Sequence, residues 1–400
     1  MLIDLGSAPP SNAYLTKLTM RRPEKWFPLK VLVCESCWLV QAESYSRAAE
    51  LFNDEYAYFS SFSAIWIAHA EHYVRTMVER FNLSTGSHVV EVASNDGYLL
   101  QYVKQRGIPC IGIEPTASTA SAARLKGIET LEEFFCVGLA QELVNQGKQA
   151  DLIAANNVLA HVPDINDFVR GFALLLKPQG VATFEFPHLM QLIEHKQFDT
   201  IYHEHFSYLS FSTVDQIFSA NGLSLFDVEE LDTHGGSLRV FAQRTDTSKH
   251  PVSKKVIDLL DREAAAGMNR TDYYQGFQEQ ANKVKNDFLA FLLEARRQGK
   301  AVAAYGAAAK GNTLLNYAGI RPDLLPYVVD KNPNKQGKYL PGIRIPIVNE
   351  EHLRNNRPDY VVILPWNLKT EIMEQLSYIR EWGGLFVTAV PVLNVVEAGT

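Results

Sequence analysis

From about residue 84 onward, short apolar runs rich in β-branched residues alternate with helix-like stretches, and this alternation leaves few folds open to the chain. SHVVEVA (87–93) leads through the turn SNDG into YLLQYVKQRG, and CIGIEP (110–115) leads into ASTASAARLKG. ADLIAANNVLA (150–160), DINDFVRGFALLLKPQG and VATFEFP (181–187) continue the series. Strands separated by helices form βαβ units around a parallel sheet. STVDQIFSANG, LSLFDVEEL and SLRVFAQR (237–244) add a helix and a closing hairpin-like pair. The charged, helical stretch from about 250 to 298 reads as a connector, after which a second alternation begins. Its parts are AVAAYG (301–306), AAAKGNTLLNYAG, LPYVVD (325–330), the loop NPNKQGKYLPG, IPIV, the helix EEHLRNN, DYVVILPW (359–366), a long helix from Asn367, and LFVTAVP (385–391). The expected fold is α/β, with two Rossmann-like units flanking a helical link. The expected divisions are a loop-rich, aromatic-rich region 1–80, a first unit 81–248, a connector 249–298 and a second unit 299–400.

Four hundred residues exceed one ordinary core, in keeping with two or three domains. The hydrophobic share of 46% and charged share of 21% are those of a globular chain. The 38 basic and 45 acidic residues give a net −7 with no block of like charge, so no nucleic-acid partner is expected. No apolar stretch approaches the roughly 20 residues that span a bilayer, and no membrane partner is expected. MLIDLGSAPPSNAY lacks the cationic lead and apolar run of a secretory signal. Four cysteines offer no disulfide framework, which points to a reducing cytoplasm.

EVASNDG (Glu91–Gly97) joins a buried strand to a helix, where free backbone N–H groups can face the charged end of a cofactor. Glu114, with Pro115 after it, closes the next strand, and a carboxylate there suits two ribose hydroxyls. Asn156 and Asn157 end the strand expected beside the first. Ala93 stands where glycine is common, so these residues alone leave NAD and S-adenosylmethionine both open. Tyr202, His203, Glu204 and His205 form a second cluster. If it lies on a strand, His203 and His205 share a face and could hold a metal; structural and catalytic roles stay open beside that. In YGAAAKGNT, Lys310 precedes Gly311, the reverse of the P-loop order, yet a turn opening a helix with a lysine suits a diphosphate.

In order, FNDEYAYFSSFS, EVASNDGYLL, GIEPTAS, ANNVLAHV, YHEHFSYLS, THGGSLRV, YGAAAKGNTLLN and VVDKNPNKQGKYLPG resemble the nucleotide-sugar C-methyltransferase family over nearly the whole chain. The resemblance implies a class I methyltransferase domain, a C-terminal Rossmann-like domain and a small zinc-binding N-terminal region. It implies S-adenosylmethionine as methyl donor, held by Glu91, Ala93, Asn95, Asp96, Gly97, Glu114, Pro115, Asn156 and Asn157. It implies a nucleotide-linked sugar as partner, near Tyr305, Lys310, Asn312 and Asp330. His205 becomes the base, with Glu204, Tyr202 and His161 beside it and Tyr56 and Tyr58 covering the site. Methylation at carbon needs a proton removed next to a carbonyl, and histidine titrates close to neutral pH. The family's zinc region has two cysteine pairs. Here Cys34 and Cys37 match only the second, a half site from which little zinc is expected. An NAD-dependent oxidoreductase lacks its glycine fingerprint in SNDG, and a catalytically silent nucleotide-binding protein is disfavoured by the YHEH cluster.

Overall fold

The structure is a computed structural model that describes residues 1–43, 45, 59–247 and 249–396, the side chains of Phe62 and Ala64 excepted. Tyr56 and Tyr58 therefore lie outside the described residues. Three sheets organise the chain. The largest has seven strands and contains the first alternation. At its centre, strand Val89–Val92 pairs in parallel with Cys110–Ile113 on one side and Ala150–Asn156 on the other. Leu176–Pro187 follows in parallel, and the hairpin Leu223–Leu231 with Ser237–Arg244 closes that side antiparallel. These central strands are buried on both faces, which is why they read as unbroken apolar runs.

Helix Ala64–Phe81 is expected with the N-terminal region, but its apolar face joins the seven-stranded sheet: Trp66, Tyr73 and Met77 pack with Val89, Leu99 and Leu152. The second alternation forms a six-stranded sheet with Val302–Tyr305 at its centre, parallel to Val328–Val329 and Tyr360–Ile363. The long helix expected from Asn367 is instead broken into Lys369–Gln375 and a 3₁₀ segment, Ser377–Trp382. Leu376, Ile379 and Trp382 recur every third residue and turn to one core, a spacing that a 3₁₀ helix stacks directly one above another.

The N-terminal sheet is small: Ile3–Ala8, Phe27–Val33 and Val40–Ala42, extended by Ser207–Tyr208 from just beyond the YHEH cluster. Its buried Leu2, Ile3, Leu29 and Val31 share one core with connector helix Phe277–Arg297 and with Leu314, Leu340 and Val362 of the second unit. One apolar core thus binds the N-terminal strands to the C-terminal unit. The first unit meets this body along residues 189–208.

Candidate active site

The loop after the central strand is built from left-handed residues. Ala93, Asn95 and Gly97 have φ of 58°, 48° and 74°. Gly97 needs its missing side chain, because a Cβ would run into Ile128 and Ala123. Gly112 on the neighbouring strand is bare for a related reason: Ser94 folds down over it. Glu114 ties the loop in place. Its Oε2 accepts from the Asn95 N–H at 2.9 Å, and its Oε1 accepts from the Thr116 N–H and the Thr119 hydroxyl, both at 3.0 Å. Burial raises the Glu114 carboxyl above its usual range, and Glu91, deeper in the sheet, lies well above its own for the same cause. Asn95 Oδ1 accepts from the Ser60 N–H at 2.9 Å, and Asp96 Oδ2 from Lys126 at 3.3 Å.

Around this loop several buried polar atoms have no hydrogen-bond partner among the described residues: Ser94 Oγ, Asp96 Oδ1, Asn156 Oδ1, and both side-chain polar atoms of Asn157. Asn157, itself left-handed at φ 54°, donates its N–H to the Glu185 carbonyl. Unpaired buried polar groups are costly. Four residues carrying them at the carboxyl ends of adjacent parallel strands form the setting in which α/β sheets bind ligands. The donor set fits the ribose hydroxyls and amino acid end of S-adenosylmethionine.

The YHEH residues lie in a turn, not on a strand, and their side chains diverge. His203 Nε2 donates to the Phe27 and Pro28 carbonyls of the N-terminal sheet, at 3.3 Å each. His205 Nδ1 donates to the Thr200 carbonyl at 2.9 Å. The two rings do not converge on a common point, which removes the metal reading of the pair. Glu204 also departs from expectation. Its carboxylate turns to the N-terminal loop, where Oε1 accepts from the backbone N–H and Nδ2 of Asn12 at 3.3 and 3.2 Å. The Thr200 carbonyl, and not Glu204, orients the His205 imidazole.

His161 does join the cluster. It ends the 3₁₀ turn Leu159–His161, donates from Nδ1 to the Glu204 carbonyl at 2.7 Å, and stands edge to face with His205 at 4.6 Å between ring centroids. The Tyr202 ring lies 4.0 Å from that of His205. Because each Nδ1 carries the donated proton, Nε2 is the basic atom of both rings. Burial lowers His161 to about 4. Burial, then the neighbouring His161, hold His205 well below its ordinary value. Both imidazoles are neutral at pH 7.

Four further side chains converge here without having been expected. His234 of THGG, at φ 55°, is lowered to about 4 by burial and by Lys310, and lies 5.3 Å from the Trp66 ring. Glu185, fully buried beside Asn156, meets Arg239 and His69 at 2.9 Å each and accepts from the Thr233 hydroxyl at 2.9 Å. These partners outweigh its burial and hold its carboxyl below the usual range. The THGG block was visible in the sequence. A buried glutamate inside VATFEFP was the available signal for the rest.

The four residues expected around a nucleotide-sugar stand at the ends of adjacent strands of the second unit and the start of the next helix, each with a partner within the chain. The Tyr305 hydroxyl accepts from Gln375 Nε2 at 2.7 Å, and the Asn312 side chain faces Asn316. Asp330 accepts from the Ala307 and Asn332 N–H groups, each at 2.8 Å. Lys310 donates to Asn367 Oδ1 at 2.7 Å, with its ammonium 4.7 Å above the Trp366 ring. Cys34 and Cys37 sit in the turn between two N-terminal strands, and backbone N–H groups of Cys37 and Ser36 lower the Cys34 thiol. Their two thiols are half of the four ligands a structural zinc takes, and among the described residues no group of three or more His, Cys, Asp or Glu side chains could hold a metal.

Family models match almost end to end: a “Putative zinc binding domain” over residues 1–52, a methyltransferase domain over 66–228, and a C-methyltransferase C-terminal domain over 232–391. C-methyltransferase NovU from Streptomyces niveus is 34% identical over 397 residues, covering 99% of this chain and 94% of its own. The chain belongs to the C-methyltransferase family. It is therefore a methyltransferase, and S-adenosylmethionine is its methyl donor. The oxidoreductase alternative falls with that. A ubiquinone biosynthesis O-methyltransferase from Bordetella avium (strain 197N) is 33% identical over 101 residues, 25% of this chain and 42% of its own. A magnesium protoporphyrin IX methyltransferase from Synechocystis PCC 6803, solved with bound S-adenosylmethionine, overlaps 45% of this chain and 79% of its own at 18% identity and a TM-score of 0.35. Among the described residues no helix is long and apolar enough to cross a membrane.

Proposed function

We propose that this C-methyltransferase adds a methyl group to a ring carbon next to the ketone of a nucleoside-diphosphate deoxysugar, with His205 as the base. One observation carries the reading: a buried, neutral imidazole with Nδ1 bound to a carbonyl, its ring packed beside a second imidazole and a phenol. His205 Nε2 takes the proton; the C–H electron pair becomes the enolate double bond and the carbonyl pair moves to oxygen. Bound S-adenosylmethionine supplies a sulfonium methyl to that carbon and leaves as S-adenosylhomocysteine. Burial keeps His205 unprotonated before the acceptor arrives, and the negative charge forming beside it restores its proton affinity. The Tyr202 hydroxyl donates toward the enolate oxygen, and the proton taken up by His205 is released to solvent when the products leave. Glu114, Asn95, Asp96, Asn156 and Asn157 hold the donor, while Glu204 anchors the N-terminal loop over the site through Asn12.

The test is His205→Ala. General-base catalysis is worth about 10²–10⁴ in rate, so kcat falls by that much while S-adenosylmethionine affinity stays. Exchange of deuterium from solvent into a nucleotide-linked keto-sugar, measured without methyl transfer, stops as well. Exchange at the wild-type rate in this variant rules His205 out as the base.

A further inference from the structure

The C-terminal unit touches the reacting end of the site through few side chains, and these form a chain of contacts. Lys310 begins it, held by Asn367 Oδ1 at 2.7 Å and by the face of Trp366. Trp366 Nε1 donates to Asp199 Oδ2 at 2.8 Å, and Asp199 is fully buried. Asp199 adjoins Thr200, the residue whose carbonyl fixes His205. Thr313, three residues beyond Lys310 on helix Ala309–Tyr317, donates to the Ile201 carbonyl at 2.9 Å. The same Trp366 ring packs on Gly235, next to His234, so closely that a Cβ there would collide with it.

Among the described residues no carboxylate lies within 4.0 Å of Lys310 Nζ and its hydrogen-bond acceptor is a neutral amide, while the buried Asp199 carboxylate acts on it from farther off. Its charge is felt at His205 and at His234, both neutral rings. The turn expected to cradle a diphosphate is otherwise engaged. The Gly306 N–H donates to Val329, that of Ala307 to Asp330, and that of Ala308 to Gly306. A half-buried cation beside neutral imidazoles, with its hydrogen bond spent on an amide and not on a carboxylate, attracts an anion that forms next to it, and in this reaction that anion is the enolate.

We propose that Lys310 is a catalytic residue, presented by the C-terminal unit to the methyl-transfer site, whose ammonium takes up the negative charge on the acceptor oxygen as His205 removes the proton. The proposal rests on the enolate reading above. The charge on the oxygen grows only as the carbon–hydrogen bond breaks, so the interaction is made in the transition state and not in the ground state.

Three variants test it in the full chain: Lys310→Met and Lys310→Gln remove the charge, and Lys310→Arg keeps it. The His205 imidazole is followed by NMR titration without acceptor, with His161, His234, Tyr202 and Tyr208 as its other titrating neighbours. With the charge gone, His205 titrates at higher pH than in the wild type, and Lys310→Arg leaves it low. Calorimetric binding of uridine diphosphate and thymidine diphosphate changes by less than about threefold, and exchange into a keto-sugar falls on the order of 10²–10³, as for loss of one oxyanion partner. An unmoved His205 in whichever uncharged variant folds overturns the proposal. A loss of about tenfold or more in diphosphate affinity also overturns it, by assigning Lys310 to the diphosphate. Failure of the enolate reading is seen separately, as exchange that persists in His205→Ala.

Discussion

The two parallel-sheet units open in the same way and then part. In each, the residue just beyond the central strand has a positive φ: Ala93 at 58° and Gly306 at 90°. In each, an acid at the end of the next strand accepts an N–H of that loop: Glu114 from Asn95 at 2.9 Å, Asp330 from Ala307 at 2.8 Å. Around the first loop, Ser94, Asp96, Asn156 and Asn157 hold out buried polar atoms with no protein partner described. Around the second, the Ala307 carbonyl is covered from within the chain, and among the described residues Asn312 Nδ2 and Asn316 Oδ1 are the buried atoms of the following helix that lack a partner. The Tyr14 hydroxyl and Lys335 Nζ both donate to the Ala307 carbonyl, at 2.6 and 2.8 Å, and Tyr14 comes from the N-terminal loop. Shared topology marks where a ligand can bind. Whether one does depends on which polar groups are left over.

Acid should produce the largest separation, because the low-titrating imidazoles belong to the first unit. His161 and His234 bind protons at about 4 when folded and near 6.5 when unfolded. The unfolded chain therefore binds more protons between those values. Their contribution is complete above pH 6.5 and is lost as pH falls toward 4, at most about 3 kcal/mol for each ring. Asp199 opposes this in part: its folded value is pushed up to about 6 by burial, so it favours the folded state as pH falls from 6 toward 3.8. Thermal melts from pH 7.5 to 4.5 should show a steep fall below 6.5 that shrinks in His161→Gln. A melting temperature flat down to pH 5 would mean that these rings are not buried as described.

Next in size is the contrast between the two acids. Glu114→Ala removes the acceptor that fixes the donor loop and should weaken S-adenosylmethionine binding by about 1.5–3 kcal/mol. Asp330→Ala breaks a bond of the same geometry in the second unit and should leave that affinity within about twofold, at some cost in melting temperature. Equal losses of affinity would show that the second crevice is coupled to the first.

Much of this was legible in the sequence. The strand runs of both units, the loop at Glu91–Gly97 and the acid at Glu114 follow from local pattern, because the signal lies in consecutive residues. What the sequence could not show is where long side chains turn. Glu204 adjoins His205 yet reaches Asn12, nearly two hundred residues away in sequence. Lys310, read from the sequence as a diphosphate ligand, turns to Asn367 and the face of Trp366, both more than fifty residues away. Nor could it show that Tyr14 reaches the second loop, since that contact depends on N-terminal strands sharing a core with the C-terminal unit.

The smallest effects come from exchanging the two residues at the equivalent loop position. Gly306 at φ 90° lies outside the region an alanine adopts readily, and a Cβ there would meet Pro365. Gly306→Ala should therefore cost about 1–3 kcal/mol of stability. Ala93 is the opposite case: at φ 58° it sits in the left-handed well, where an alanine is strained by roughly 1 kcal/mol and a glycine is not. Ala93→Gly relieves that strain but adds backbone freedom to the unfolded chain worth about 0.4–1 kcal/mol. The two terms nearly cancel, so denaturant melts should place this variant within about 0.5 kcal/mol of the wild type. S-adenosylmethionine affinity should be unchanged, because the methyl group is no part of the polar set around the loop. A clear loss of stability in Ala93→Gly would show that its methyl packs against something the strain argument leaves out. The absence of a glycine there would then be a matter of packing, and the likeness between the two loops would stop at their backbones.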